Sequence, residues 1–183
     1  MRPRPRHTVV LVALLMMAMS GAHAWHGDAA QVQRLLADGA CVHATDGDGW
    51  TAAHYAVRGR SLRCLAQLLA AGAHATAPAG RLRQTPLHFA SAAGEPDLVA
   101  ALLAAGGSAA AADAAGRAPL ALALQHLTAL QALERTAPYQ QPAEALRKAL
   151  AAVSLLQGAA MQAPVGQLAG EAGGEDVRME DGV

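Results

Sequence analysis

Thr85-Pro86-Leu87-His88-Phe89-Ala90 decides how this chain folds. A threonine can precede a helix, and a proline at the first helical position loses no hydrogen bond, so the pair starts a short helix. Gly94 supplies a stop, because glycine enters the left-handed conformation at little cost. Beyond it, Leu98, Leu102 and Leu103 fall on one stripe of a second helix, which Gly106 ends. The stretch therefore reads as helix, turn, helix and outward loop. One such unit cannot bury its own apolar face and needs neighbours.

The neighbours are present. Thr51-Ala52-Ala53-His54-Tyr55-Ala56 precedes the stretch by 34 residues, and Ala118-Pro119-Leu120-Ala121-Leu122-Ala123 follows it by 33. In phase with them run Leu35-Leu36, Leu68-Leu69 and Leu102-Leu103, each followed by a glycine at 39, 72 and 106. Two registers sharing one period exclude chance. The pattern resembles the ankyrin repeat, whose signature is T-P-L-H-x-A followed by a leucine pair and a glycine. The resemblance covers about residues 27 to 125 and implies an all-α solenoid of stacked helix–turn–helix units.

The units depart from one another. Residues 27–50 form a half-repeat, with Val32, Leu35 and Leu36 inward. Residues 51–84 form a repeat whose glycine comes one position early, at Gly59, and whose loop has one extra residue. Residues 85–117 form the best match. In 118–157 the histidine, central glycine and leucine pair are lost. Leu124, Leu127, Leu130 and Leu133 read as one helical stripe, Thr136 to Gln141 break it, and Pro142 opens a capping helix with Leu146, Leu150, Val153 and Leu156 inward, up to Gly158. Residues 158–183, rich in glycine, alanine and acids, are expected to be a disordered acidic tail.

The first 24 residues read as an address. Arg2, Arg4 and Arg6 precede an apolar run from Thr8 to Met19, and Ala22-His23-Ala24 fits an A-x-A cleavage site. An uncleaved anchor would need about 20 apolar residues, more than this run offers. A secretory signal peptide is expected, with a mature chain from Trp25 in the periplasm or secreted, off the membrane and monomeric.

Composition narrows the chemistry. Lys+Arg 14 against Asp+Glu 14 excludes a strongly basic nucleic-acid binder. With 53% apolar and 3% aromatic residues, the core must be built of leucine and alanine between closely spaced helices. There is no G-x-S-x-G, Walker loop or H-E-x-x-H, and no enzyme, cofactor or metal is expected. Asp46-Gly47-Asp48-Gly49 opens like a calcium loop, but Trp50 stands at the third ligand position and no glutamate closes it. Cys41 and Cys64 sit at opposite ends of neighbouring helices, beyond disulfide reach, and Cys64 is expected to be buried as a small hydrophobe.

The resemblance implies the rest. His54 and His88 would hydrogen-bond locally and tie one repeat to the next. Loop tips and first helices would form a concave protein-binding side, carrying Asp46, Asp48, Trp50, Tyr55, Arg58, Arg81, Arg83 and Phe89. Tyr55 and Phe89 suit packing between repeats as well as contact. From Arg58 to Arg83 there are five arginines and no acid, which fits a partner with an acidic patch. The expected role is a non-catalytic module that holds or stabilises one periplasmic protein, such as an oxidative-stress enzyme. The alternative is an immunity protein that neutralises a delivered toxin.

Overall fold

The computed structural model describes residues 29–136 and 143–162. The leader, Pro142 and the tail beyond residue 162 lie outside the described residues. Within them run seven helices: α1 (Ala29–Ala37), α2 (Ala52–Arg58), α3 (Leu62–Ala70), α4 (Pro86–Ala93), α5 (Pro96–Ala104), α6 (Pro119–Thr136) and α7 (Ala143–Gln162). No strand occurs among the described residues. Two isolated antiparallel bridges, Thr45 to Thr51 and Ala79 to Gln84, close the outward loops as fingers.

The helices form two layers. The inner row is α2, α4 and α6, each packed on the next. The outer row is α1, α3, α5 and α7. Small residues let the inner helices approach closely: Ala52, Ala53, Ala56 and Ala90 are fully buried. Leu65, Leu68, Leu87, Leu102 and Leu156 fill the space between layers, and each contributes about 2 kcal/mol through burial. Cys64 joins this core, whereas Cys41 is exposed, and both are free thiols.

The inner helices end differently. Gly94 closes α4 at φ 66, the left-handed conformation expected of it. Gly59 closes α2 at φ −78 and does not use its freedom. The early glycine leaves the left-handed position to Arg60, at φ 53. That conformation costs a non-glycine residue about 1 kcal/mol.

The third inner helix does not turn at all. No glycine or proline interrupts the sequence between Leu120 and Ala137, so α6 runs for 18 residues. Its expected stripe is corrected. Leu127 is buried and Leu130 half-buried, but Leu124 is 41% and Leu133 57% exposed. A spacing of three falls about 60° short of a full turn. Over nine residues that drift carries Leu124 and Leu133 to opposite sides, and Leu122 and Ala123 are the residues buried before Leu127. In α7 the alanines at 149 and 152 turn inward with Val153 and Leu156, while Leu150 is exposed. The helix continues past Gly158 to Gln162.

Candidate interaction surface

Each finger hands the chain to an inner helix through a junction. At the first two the device is the same. Thr51 precedes α2, and the His54 ring folds back so that Nδ1 accepts the Thr51 amide at 3.2 Å and lies 2.8 Å from Thr51 Oγ1. Thr85 and His88 repeat this at 3.1 and 2.8 Å. This is a capping box with an imidazole in place of the usual carboxylate. Because Nδ1 accepts, Nε2 carries the proton. It donates to the Gln84 carbonyl at 3.2 Å from His54, and to the Arg117 carbonyl at 3.0 Å from His88. Each histidine thus caps its own helix and holds the next finger. Both are fully buried. Burial holds His54 at a pKa of about 4 and lowers that of His88, so both rings are neutral at pH 7.

The third junction lacks threonine and histidine. Asp113 takes over. Its Oδ1 accepts the amides of Ala115 and Arg117 at 2.9 and 3.0 Å, and Oδ2 accepts Arg117 Nε and Nη2 and Gln84 Nε2. The Arg117 amide, first among these donors, keeps the carboxyl far below the usual carboxylate range against the opposing effect of burial. Adjacent fingers are also tied through their backbones. Gly80 N donates to Asp48 O at 2.9 Å, and Ala114 N to Leu82 O at 2.7 Å.

On this frame sit the eight candidate residues. Five come together. Trp50 packs against Phe89 at 4.8 Å, Tyr55 at 5.4 Å and His54 at 5.7 Å between ring centroids. The Arg58 guanidinium lies over the indole at 5.4 Å, a geometry in which the cation meets the negative ring face. Tyr55 donates its hydroxyl to Asp46 Oδ2. The other carboxylate oxygen, Oδ1, accepts the amides of Asp48 and Trp50. Burial raises the Asp46 carboxyl, but the bonds from Tyr55, Trp50 and Asp48 outweigh it and the net shift is downward. Burial first, then the Asp46 carboxylate, push the Tyr55 hydroxyl to about 12.

Two of the eight are therefore occupied internally. Tyr55 is only 6% exposed, and Asp46 spends its carboxylate on its own finger and on the Tyr55 hydroxyl. Trp50 and Phe89 are half-buried, leaving part of each ring open beside the exposed Arg58. Asp48 is exposed and serves the frame through its carbonyl. Arg81 and Arg83 stand exposed at the tip of the next finger, with no ion pair among the described residues. Arg83 adopts φ 49 there.

Sequence reasoning missed Leu82. It is 46% exposed between the two arginines, and a leucine flanked by arginines in a turn was the available signal. It also missed that Gly80 fits under Trp50, since a Cβ at Gly80 would stand 3.5 Å from the indole nitrogen. His43 and His74 stack with centroids 4.3 Å apart. No set of three metal-ligating side chains occurs among the described residues. No described helix is long and apolar enough to cross a membrane.

Comparison with known families agrees with this architecture. Residues 15–69 match a model described as ankyrin repeats in many copies, and residues 83–114 match the single ankyrin repeat. The fold is an all-α solenoid of ankyrin repeats. Its ankyrin stack is of a kind that generally serves as a non-catalytic scaffold binding protein partners. The first match reaches back to residue 15, into the stretch read as a leader. No curated protein matches the chain.

Proposed function

We propose that this ankyrin stack is an exported periplasmic module that grips and stabilises one partner protein, such as an oxidative-stress enzyme, through its finger side. One observation carries the reading. Half-open Trp50 and Phe89, the Arg58 guanidinium over the indole, and the exposed tip Arg81-Leu82-Arg83 lie on adjacent repeats held together by buried bonds. Aromatic and arginine side chains on a rigid support are the usual energetic anchors of protein interfaces. The exposed arginines, without an ion pair among the described residues, favour a partner with an acidic patch, which they steer as well as hold. Export rests on the arginine-flanked apolar run and the Ala22-His23-Ala24 site.

Charge reversal tests the surface. Arg81→Glu with Arg83→Glu, in a pull-down from periplasmic extract, is expected to remove the partner that the parent chain retains. Unchanged recovery of every partner overturns the reading. The identity of the captured protein separates the stabiliser from an immunity protein, which would retain a secreted lipase or peptidoglycan hydrolase. Intact mass of the exported form is expected to correspond to a chain starting at Trp25. An exported form that keeps the residues before 15 would remove the leader from the account.

A further inference from the structure

The stack has a second feature, at the other end of its inner helices. The fingers lie at their N-terminal ends, and the eight residues of α4 place its C-terminal end about 12 Å away. There the unbroken α6 carries the chain across the turns of the earlier repeats, and α7 packs back over α5 and α6. Between them is a cavity of about 430 Å³, within the size range of small-molecule sites. Its walls come from three places: Arg60 in the α2–α3 turn, Gly94 and Glu95 in the α4–α5 turn, and Glu144 and Lys148 on α7. His126 and Leu130 of α6 complete the lining, with Ala93 and Ala145 beside them.

Arg60 holds its left-handed backbone and reaches across to Glu95, with Nη1 and Oε1 3.2 Å apart. On the facing wall Lys148 Nζ lies 3.6 Å from Glu144 Oε1. The His126 ring lies on Gly94. A Cβ at that position would stand 2.6 and 2.7 Å from two of its ring atoms, so the ring occupies its place only because residue 94 is glycine. His126 is half-buried and makes no hydrogen bond to the described residues. Burial, then the charge of Arg60, lower its pKa against the pull of Glu95. The ring is uncharged at pH 7 and offers one donor and one acceptor to the cavity.

Charge balance selects the ligand. The lining holds two cations, two carboxylates and a neutral imidazole. A simple anion entering it meets Glu95 and Glu144, and a simple cation meets Arg60 and Lys148. An apolar molecule reaches Ala93, Leu130 and Ala145 only by stripping water from two ion pairs. A metal finds no set of three donors among the described residues. A molecule carrying both charges on a short spacer can set its carboxylate against Arg60 or Lys148 and its ammonium against Glu95 or Glu144, matching walls that each hold both signs. We propose that this cavity binds a small zwitterion: an amino acid, either free or as a short peptide.

The test follows the imidazole resonances of the full chain by NMR while lysine, glutamate or glycylglycine is added, with acetate and ethylammonium as single-charge controls. At least one zwitterion is expected to shift His126 saturably and leave His43 and His74 unmoved, with both controls about tenfold weaker or more. Tighter binding of the dipeptide assigns the site to peptides, and tighter binding of the free amino acids to metabolites. Lys148→Ala, on the exposed side of α7, is expected to weaken binding about tenfold while the fold is kept, and Gly94→Ala to displace the ring and abolish the shift. The proposal is overturned if no zwitterion saturates up to about 50 mM, if acetate alone binds as well, or if Lys148→Ala binds unchanged.

Discussion

The first two finger-to-helix junctions and the third do the same work with opposite chemistry. At Thr51 and Thr85 a neutral, fully buried imidazole caps the helix and holds the next finger. At Asp113 an ionised carboxylate gathers two amides, a guanidinium and the Gln84 side chain. The difference teaches where the repeat can be relaxed. A histidine box is needed where another finger must be received. Past α6 no further finger follows among the described residues, and there a carboxylate organises its own loop and the finger before it.

The comparison breaks most sharply at the boxes. His88→Ala removes the cap on Thr85 and the bond to the Arg117 carbonyl, and leaves a void in a closed core. It is expected to cost about 3 to 4 kcal/mol in urea denaturation. A cost below about 1 kcal/mol would mean that the imidazole bridges little. Acidification is the second lever. His54 titrates below its unfolded value of about 6.5, at about 4 in the fold. Its contribution is therefore complete above pH 6.5 and is lost as pH falls toward 4, because protons then bind the unfolded chain more readily. The expected loss from His54 is about 2 kcal/mol between pH 7.5 and pH 5, and His88 adds in the same direction. Asp113 keeps its charge throughout that window. Amide exchange reads the contrast residue by residue. At pH 5 the amides of Thr51 and Thr85 are expected to lose protection relative to pH 7.5, while those of Ala115 and Arg117 keep theirs.

Two smaller substitutions sharpen the contrast. Ala118→Thr with Ala121→His installs a box at the third junction with no finger to receive its Nε2. Thermal denaturation is expected to show a gain of about 1 kcal/mol, the cap alone. Arg60→Gly relieves the left-handed arginine but breaks its exposed bond to Glu95. The net gain expected in the same assay is about 0.5 kcal/mol.

What the sequence made legible follows from local chemistry. The threonine and histidine three residues apart, the proline at the helix start and the glycine at 94 each act within one turn of helix, so the all-α repeat could be read directly. The slip that puts Arg60 in the left-handed position depends on where α2 ends, which the early glycine obscured. Leu124 and Leu133 misled because a three-residue spacing imitates a stripe over one turn and fails over three. In the candidate interaction surface, residue types suggested all eight residues alike, but not that Tyr55 and Asp46 would satisfy each other, since that bond joins a finger to a helix. The cavity was beyond sequence reading. Arg60 and Glu95 pair between neighbouring turns, and His126 and Lys148 join them where the long α6 and α7 pack back.

The most direct test places a photocrosslinking amino acid at position 81 on the fingertip and, in a separate chain, at position 63 on the exposed side of α3. Both are irradiated in living cells and adducts are identified by mass spectrometry. The account predicts one dominant protein adduct from position 81, absent from position 63 and lost when Trp50→Ala is added. Equal adducts from both positions, or none from the fingertip, would contradict it.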